Sequence, residues 1–272
     1  MLTTVYQGTQ NSSDVTRNAA AAVARLVGAN HHTWEIDAVV AGYHDLAQRA
    51  IGRELSWERD DITLQNIQAR ARAPGVWMLA NIENKLLLAT SNRSEAAVGY
   101  ATMDGDTSGG LSPIAGIDKA FLREWLGWMQ EEGLAEVGSM PELQAITVQA
   151  PTAELRPQET GQTDESDLMP YPILDAIEKM AIRDKDGPVD VWRRLIVRKP
   201  EYSPSQLAFW VRRFFQLWVR NQWKRERFAP AFHLDDENLD PKTWCRFPIL
   251  SGGYELELAE LSRCLREYEE AR

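Results

Sequence analysis

The stretch from Lys85 to Lys119 holds the side chains of this sequence that are best suited to chemistry on a polyphosphate. Glu95, Asp104 and Asp106 supply carboxylates, and Lys119 supplies an ammonium group. Carboxylate oxygens are the ligands that Mg²⁺ prefers, and a lysine offsets negative charge on phosphate oxygens. If one strand end gathers these side chains, they suit a magnesium-bound polyphosphate.

The elements that must position these groups follow the order strand, polar loop, helix. The apolar run Leu86–Ala89 predicts a buried strand of a parallel sheet. Asn92, with Glu95 three residues later, predicts a capped helix start, with a short helix over residues 96–101. A Ser/Gly-rich loop then leads to a second helix that carries Lys119. Because ligands of open α/β sheets bind at the carboxyl ends of strands, this order favours a binding site here.

The segment upstream predicts alternating strands and helices. We expect a strand over residues 2–6, a helix ending near Gly28, a strand over residues 34–36 and a helix over residues 39–51. The next helix opens at Asp60-Asp61, and Pro74 is expected to kink it or end its first half. This order is typical of a wound parallel sheet.

The downstream pattern is mainly helical. We predict a strand over residues 143–148, then a polar loop over residues 151–167 whose length is typical of a lid or binding segment. Further helices are predicted over residues 121–129, 172–182, 189–197 and 254–268, and after the cap Ser203. A boundary near residues 184–188 divides the chain into an α/β core over residues 1–183 and a helical part over residues 184–272.

Charge and composition narrow the class of protein. The net charge of −10 over 272 residues argues against a nucleic-acid partner or an anionic membrane surface. Cys245 and Cys264 lack metal-ligand spacing, so we expect reduced, structural thiols. We see no run of eighteen apolar residues and no signal-peptide pattern, and we expect a cytoplasmic protein.

The helix after Ser203 interleaves basic and aromatic residues in a way that could suit nucleic acid. Its apolar residues follow helical spacing, which is more typical of a buried helix face. They are Val211, Phe214, Phe215 and Trp218. We therefore predict that this face belongs to the core.

Several sequence blocks resemble the NAD synthetases, amide-forming members of the ATP pyrophosphatase superfamily. The blocks are Thr90-Ser91-Asn92-Arg93-Ser94-Glu95, Gly99-Tyr100, Gly105-Asp106, Ser112-Pro113-Ile114, Lys119, Asn66–Arg72, Pro151–Leu155 and Gln162–Glu165. They keep the family's order over roughly residues 4 to 235. The resemblance implies a Rossmann-like α/β fold, that of the adenine-nucleotide alpha-hydrolases, with a parallel sheet and a helical C-terminal extension. It also implies amidation of deamido-NAD with ATP through an adenylated carboxyl, releasing AMP and pyrophosphate.

The resemblance implies a role for each matching residue. ATP contacts fall on Thr90, Lys119 and Thr152, of which Lys119 and Thr152 would serve catalysis. A magnesium ligand falls on Glu95, and Asp106 is the natural second acidic candidate. Substrate contacts fall on Asn66, Arg70 and Lys224. The implied cofactors are ATP and Mg²⁺, with deamido-NAD as substrate and ammonia, free or derived from glutamine, as nitrogen donor. The family is generally dimeric, so a homodimer is expected. Without the resemblance, Arg70 reads as a solvated helix charge.

The sequence also departs from the family pattern. Met103 stands where short, ammonia-dependent members carry a lysine, Gly110 where they carry an aspartate, and Trp223 where they carry a histidine. The departures at Met103 and Gly110 favour a different subgroup, such as the glutamine-dependent one, and at Trp223-Lys224 only the lysine matches the family. The family's pyrophosphate loop, Ser-Gly-Gly-x-Asp-Ser, is expected upstream of Tyr6. We therefore expect the greater part of a synthetase domain, truncated at its amino end, without a glutaminase domain and poorly active alone.

Alternative interpretations stay open at this stage. Ser251-Gly252-Gly253 follows the apolar residues 247–250 and could be the missing loop after a circular permutation, but Glu255 and Leu256 do not fit. The calcium-loop pattern that begins at Asp104 lacks a glutamate at its twelfth position. The chain could also be a non-catalytic nucleotide-binding or interaction module, or another ATP pyrophosphatase such as a GMP synthetase.

Overall fold

The computed structural model describes residues 2–161, 163–249 and 251–271. Outside this range lie Met1, Gln162 of the predicted Gln162–Glu165 block, and the last residue of the predicted 247–250 run. The chain forms two compact units that interleave in sequence. Unit 1 comprises Met1–Leu87, Thr102–Gly109 and Phe121–Asp167, and unit 2 comprises Leu88–Ala101, Gly110–Ala120 and Leu168–Arg272. The predicted domain boundary after residue 183 stays a prediction.

Unit 1 opens with the predicted alternation of strands and helices. Its elements are β1 (Thr3–Gly8), α1 (Asp14–Leu26), β2 (Asn30–Glu35), α2 (Asp37–Ile51) and α3 (Trp57–Glu83). The two strands pair in parallel, in register from Thr3 opposite Asn30 to Gly8 opposite Glu35. The parallel α/β arrangement predicted from the sequence is therefore confirmed.

Helix α3 has a break at the predicted Asp60-Asp61 start but continues through Pro74. It begins at Trp57, and Asp60 (φ −120°, ψ 22°) marks a kink near its start. Pro74 lies inside the helix and does not end it. Proline removes one backbone hydrogen bond, but tertiary packing supplies most of the stability of a helix in a protein. Ala71 and Ala73, close to Pro74, are buried.

Two predicted strands are absent from the described residues. Leu86–Ala89 forms a single parallel bridge from Leu88 to Leu111, and Leu86 and Leu88 are 62% and 41% exposed. Residues 143–148 form helical turns instead, a 3₁₀ turn at Pro141–Leu143 followed by α6 (Gln144–Thr147). Short apolar runs do not separate strand from helix, and here Pro141 starts a helical turn.

Unit 2 contains most of the aromatic core. Its helices include α4 (Arg93–Val98), α8 (Tyr171–Glu178), α9 (Pro188–Arg198), α10 (Pro204–Arg220), α11 (Gln222–Arg225) and α12 (Glu255–Glu270). A π-helical turn, Lys179–Arg183, continues α8. The predicted face of α10 is buried at Val211, Phe214, Phe215 and Trp218, against Leu258 and Leu261 of α12. The core assignment of this face is confirmed.

Two further helices complete the description. Helix α5 (Lys119–Glu131) includes the predicted residues 121–129, and α7 (Asp164–Asp167) is a single turn. Ser203 caps α10 as predicted, because its hydroxyl accepts a hydrogen bond from the Gln206 amide. In the described part of the chain, no helix has both the length and the hydropathy to cross a bilayer.

Candidate functional site

The start of α4 joins the predicted metal ligand Glu95 to the predicted phosphate ligand Lys119. Asn92 Oδ1 accepts a hydrogen bond from the Glu95 amide (3.0 Å), and Glu95 Oε2 accepts one from the Asn92 amide (3.2 Å). This is the predicted capping box. Glu95 Oε1 lies 3.0 Å from Lys119 Nζ, which also lies 5.8 Å from the centroid of the Tyr171 ring. The two charged groups therefore form a direct, partly buried ion pair.

Asp175 holds the first turn of α5, from which Lys119 extends. Its Oδ1 accepts a hydrogen bond from Ser94 Oγ (2.5 Å), and its Oδ2 accepts one from the Ala120 amide (3.1 Å). Ser94 Oγ in turn accepts a hydrogen bond from the Lys119 amide (2.8 Å). Burial raises the pKa of Asp175 to about 7. These bonds tie the backbone of Lys119 to α4 and α8.

Three family blocks in unit 2 meet through their backbones. Leu88, two residues before the predicted ATP contact Thr90, bridges to Leu111. Ser112 bridges to Ala231, and its amide donates a hydrogen bond to the Pro230 carbonyl (2.9 Å). Thr90 itself is exposed. The structure thus brings the Ser112 block next to Ala229-Pro230-Ala231.

Lys224 lies at the carboxyl end of α4. Its Nζ donates hydrogen bonds to the carbonyls of Gly99 (2.7 Å) and Ala101 (2.8 Å). A cation at this helix end is favourable because the helix dipole places negative charge there. The predicted substrate-binding lysine is therefore fixed against the Gly99-Tyr100 block.

The remaining predicted residues lie in unit 1. Two of them, Asn66 and Arg70 of α3, form hydrogen bonds with the loop over residues 102–107. Thr102 Oγ1 donates to Asn66 Oδ1 (2.9 Å), and Arg70 Nε donates to the Met103 carbonyl (3.0 Å). The exposed Asp106 closes the loop, because its Oδ1 accepts a hydrogen bond from the Thr102 amide (2.7 Å). The sequence predicts that these three residues belong to one site. In unit 1, Asn66 and Arg70 bind the loop and Asp106 is part of it.

Thr152 lies in the predicted lid segment, which is attached to α1. Its Oγ1 accepts a hydrogen bond from the Glu154 amide (3.3 Å). The Glu154 carboxylate accepts hydrogen bonds from Ser13 Oγ (2.6 Å), the Ser13 amide (3.2 Å) and Thr16 Oγ1 (2.7 Å). Glu154 has a φ of 47°. This left-handed backbone conformation is strained for a glutamate, so the hydrogen bonds of its side chain must offset the strain energy.

Helix α3 also holds the lid segment. Gln68 Nε2 donates a hydrogen bond to the Leu155 carbonyl (2.7 Å). The Arg156 guanidinium donates two hydrogen bonds to Asp61 (2.9 and 2.8 Å) and one to Asp167 (3.1 Å). Arg156 lowers the pKa of the Asp61 carboxyl. Three consecutive residues of the lid segment, Glu154, Leu155 and Arg156, therefore attach it by hydrogen bonds to the start of α1 and to α3.

A cavity of about 200 Å³ lies at the carboxyl ends of β1 and β2. Its lining includes Thr9 and Asn11 after β1, and Asp37 and His44 of α2. His44 Nε2 is buried and has no hydrogen-bond partner among the described residues. None of the eight predicted site residues lines this cavity, and the sequence analysis did not anticipate it.

An acidic cluster around the buried Arg93 of unit 2 was likewise not predicted from the sequence. Arg93 Nε lies 2.6 Å from Asp118 Oδ1, its Nη1 lies 2.6 Å from Asp235 Oδ1, and its Nη2 lies 3.2 Å from Glu237 Oε2. Asp175 and Glu178 face the same arginine. The available signal was a pair of acids at i and i+3 in the mainly apolar run Tyr171–Ile182, which also contains Lys179.

The sites therefore assemble separately within the two units. In unit 2, Glu95 of α4 contacts Lys119. Thr90 lies shortly before α4, and Lys224 binds the carbonyls of Gly99 and Ala101 just after it. In unit 1, Asn66, Arg70 and Asp106 share a loop, and Thr152 lies in the docked lid segment. The single pocket that the sequence predicts for all eight residues stays a prediction.

Comparisons with known proteins identify the family of the chain. The family model described as NAD synthase matches residues 2–227. The chain is 33% identical over 254 residues to the glutamine-dependent NAD(+) synthetase of Oryza sativa subsp. indica, covering 85% of this chain and 33% of that protein. It is 30% identical over 261 residues to the Homo sapiens protein of the same name, covering 89% and 36%. The chain thus spans about a third of the length of these relatives.

Solved structures show the same likeness. A glutamine-dependent NAD(+) synthetase from Cytophaga hutchinsonii is 46% identical with a TM-score of 0.82, covering 96% of this chain and 40% of that one. An NMN synthetase from Francisella tularensis shares the fold, with 19% identity and a TM-score of 0.55, covering 80% of this chain and 76% of that one. The predicted α/β fold is confirmed.

Proposed function

The chain belongs to the NAD synthase family, and we propose that it carries out the ATP-dependent amidation of deamido-NAD to NAD. In this reaction a carboxylate oxygen of deamido-NAD attacks the α-phosphorus of ATP, and pyrophosphate leaves. Ammonia then attacks the acyl carbon and AMP leaves, while one proton passes from nitrogen to solvent. The observation that carries the proposal is the Glu95–Lys119 ion pair at the capped start of α4, within the family block Thr90–Glu95.

Lys119 would stabilise the charge that builds up on the transferred and departing phosphates. In the structure Glu95 neutralises its ammonium group, so a polyphosphate would replace Glu95 as the partner of Lys119. The backbone bonds through Ser94 and Asp175 hold the lysine in place during this exchange. Fixed charges of this kind lower the barrier because they need no reorganisation during the reaction.

Magnesium fits the carboxylate donors that the sequence assigns to it. Glu95 and Asp106 would hold the ion, because carboxylate oxygens are the ligands that Mg²⁺ prefers. When bound, the ion would offset negative charge on pyrophosphate. Each carboxylate already accepts a backbone hydrogen bond, from Asn92 and Thr102 respectively, and that bond fixes its orientation.

The other predicted residues would select and orient the substrates. Thr90 and Thr152 offer hydroxyl groups to ATP. Asn66 and the guanidinium of Arg70 would contact deamido-NAD, and Lys224 would present its ammonium group beside Gly99. Arginine suits this task because its planar fork matches phosphate and carboxylate oxygens.

Assembly, location and nitrogen donor are further parts of the proposal. A second copy of the chain would complete a homodimer, and the protein would act in the cytoplasm. The likeness to relatives that are named glutamine-dependent supports glutamine as the source of the ammonia. Free ammonia stays the alternative donor.

Ligand-dependent thermal unfolding tests the proposal without relying on turnover. Deamido-NAD and ATP with Mg²⁺ should each raise the Tm of the chain, whereas XMP should leave it unchanged, because a ligand stabilises only what it binds. Arg70→Ala should lose the shift with deamido-NAD, and the matched control Arg49→Ala, an exposed arginine of α2, should keep it. A shift with XMP alone would favour a GMP synthetase, and no shift with any nucleotide would overturn the proposal.

Turnover is the second measurement. Ammonium, ATP and deamido-NAD are added to the chain and NAD formation is followed. NAD that forms only when all three are present would support the proposal.

A further inference from the structure

Glu178 is a buried carboxylate without a hydrogen bond. Its side chain is 1% exposed, and neither of its oxygens has a hydrogen-bond partner among the described residues. Among the described residues it forms one ion pair, with Arg93, whose Nε lies 3.4 Å from Oε1. Burying a carboxylate is costly unless hydrogen bonds or a close counter-charge compensate it. The position of Glu178 therefore calls for a further partner.

Two more carboxylates face Glu178. One oxygen from each of Asp118, Asp175 and Glu178 lies within 4.8 Å of the other two. Mg²⁺ and Ca²⁺ bind oxygen at about 2.0–2.6 Å, so ligands on opposite sides of such an ion are roughly 4–5 Å apart. The three oxygens thus have the spacing of a set of cation ligands.

The charges around Arg93 do not balance. Five carboxylates meet three cationic side chains: Asp118, Asp175, Glu178, Asp235 and Glu237 against Arg93, Lys179 and Arg183. If all eight are ionised, two negative charges remain in excess among these side chains. One divalent cation would neutralise this excess.

The three carboxylates differ in their exposure to solvent. The Asp118 side chain is 22% exposed, whereas Glu178 forms the buried end of the group. A cation reaching the three oxygens would link α8 to the first turn of α5, because Asp118 directly precedes Lys119.

We propose that Asp118, Asp175 and Glu178 form a binding site for a divalent cation that prefers oxygen ligands, such as Mg²⁺ or Ca²⁺. This ion would be separate from the magnesium assigned to Glu95 and Asp106, and its binding needs no nucleotide. It would have a positioning role, because Asp175 holds the turn that carries Lys119.

Mn²⁺ is the probe, since its electron paramagnetic resonance signal reports the free ion. The full chain is titrated with Mn²⁺ at pH 8 without ATP or deamido-NAD. We expect one site per chain that Glu178→Gln weakens by at least about tenfold, while Mg²⁺ competes with Mn²⁺ for it. The matched control Glu257→Gln removes an exposed glutamate of α12 and should bind as the wild type does.

Two additional variants keep the test decisive. Asp118→Asn changes a partly exposed ligand and should weaken Mn²⁺ binding even if Glu178→Gln does not fold. Glu95→Gln should retain the nucleotide-independent site. The proposal is overturned if the wild type binds no Mn²⁺ without nucleotide, or if Glu178→Gln and Asp118→Asn bind as the wild type does. It is also overturned if Glu95→Gln alone loses the ion. None of these outcomes depends on NAD formation.

Discussion

Lys119 Nζ and Glu95 Oε1 lie 3.0 Å apart in a partly shielded position, with 24% and 16% of their side chains exposed. The separation is short enough for a charge-assisted hydrogen bond. The ATP contact and the metal ligand assigned by family resemblance are thus one coupled pair. A change to either residue must alter the charge that the other presents to a ligand.

Lys119→Met is expected to weaken ATP binding about 10- to 100-fold, because it removes a phosphate contact and leaves Glu95 without its counter-charge. Isothermal titration with ATP and Mg²⁺ measures the effect. Lys85→Met, which removes a lysine paired with Glu83, serves as the control and should bind ATP normally. Equal affinity in Lys119→Met and the wild type would contradict the assigned role.

The capped start of α4 shows what the sequence could predict. Asn92 and Glu95 form a capping box from residues three apart, so their spacing alone carries the information. The same holds for Ser203, which caps α10. The apolar face of α10 was also predictable, because helical spacing assigns Phe214, Phe215 and Trp218 to one side. Local geometry determines each of these features.

Long-range contacts explain what the sequence could not predict. Arg93 pairs with Asp235, 142 residues away, and local spacing gives no indication of that contact. Leu86 and Leu88 are as apolar as a buried strand requires, yet both are exposed because burial depends on which segments pack nearby. Glu154 looked like one more polar loop residue, although its carboxylate attaches the lid segment to α1.

Gly99→Ala is expected to destabilise the protein by roughly 3 kcal/mol or more in urea unfolding. Gly99 has a φ of 64°, and an added Cβ would lie 2.3 Å from the Asn221 Cβ. Gly28→Ala is the matched control, because Gly28 has a φ of 63° but no atom within 4 Å of an added Cβ. It should cost only about 1 kcal/mol. Similar losses in both variants would show that the contact with Asn221 does not limit this position.

Glu154→Ala is expected to release the lid segment and lower the free energy of unfolding by about 2 kcal/mol, because Ser13 and Thr16 lose a charged acceptor. Subtilisin digestion should then cut between residues 151 and 163 faster than in the wild type, since local opening exposes the backbone. Glu159→Ala, an exposed change in the same segment, controls for composition. Unchanged cleavage in Glu154→Ala would mean that Arg156 and Gln68 suffice to hold the segment.

The acidic cluster predicts an unusual pH dependence when EDTA removes divalent cations. Burial raises the pKa of Asp175 to about 7 and raises that of Glu178 well above its ordinary value. The folded state therefore keeps protons that the unfolded chain releases near pH 4. It follows that the stability from these two groups is fully present below about pH 4 and is lost as the pH rises toward 7.

The measurement is the free energy of unfolding of the wild type minus that of Asp175→Asn, at several values between pH 5 and pH 7. The subtraction removes the contribution of groups that titrate identically in both proteins. We expect the difference to fall by up to about 1.4 kcal/mol per pH unit in EDTA, the slope for one proton. Millimolar Mg²⁺ should reduce the fall, because the cation neutralises the carboxylates in place of the protons. A difference that rises with pH in EDTA would show that Asp175 is stabilised as a carboxylate in the folded protein.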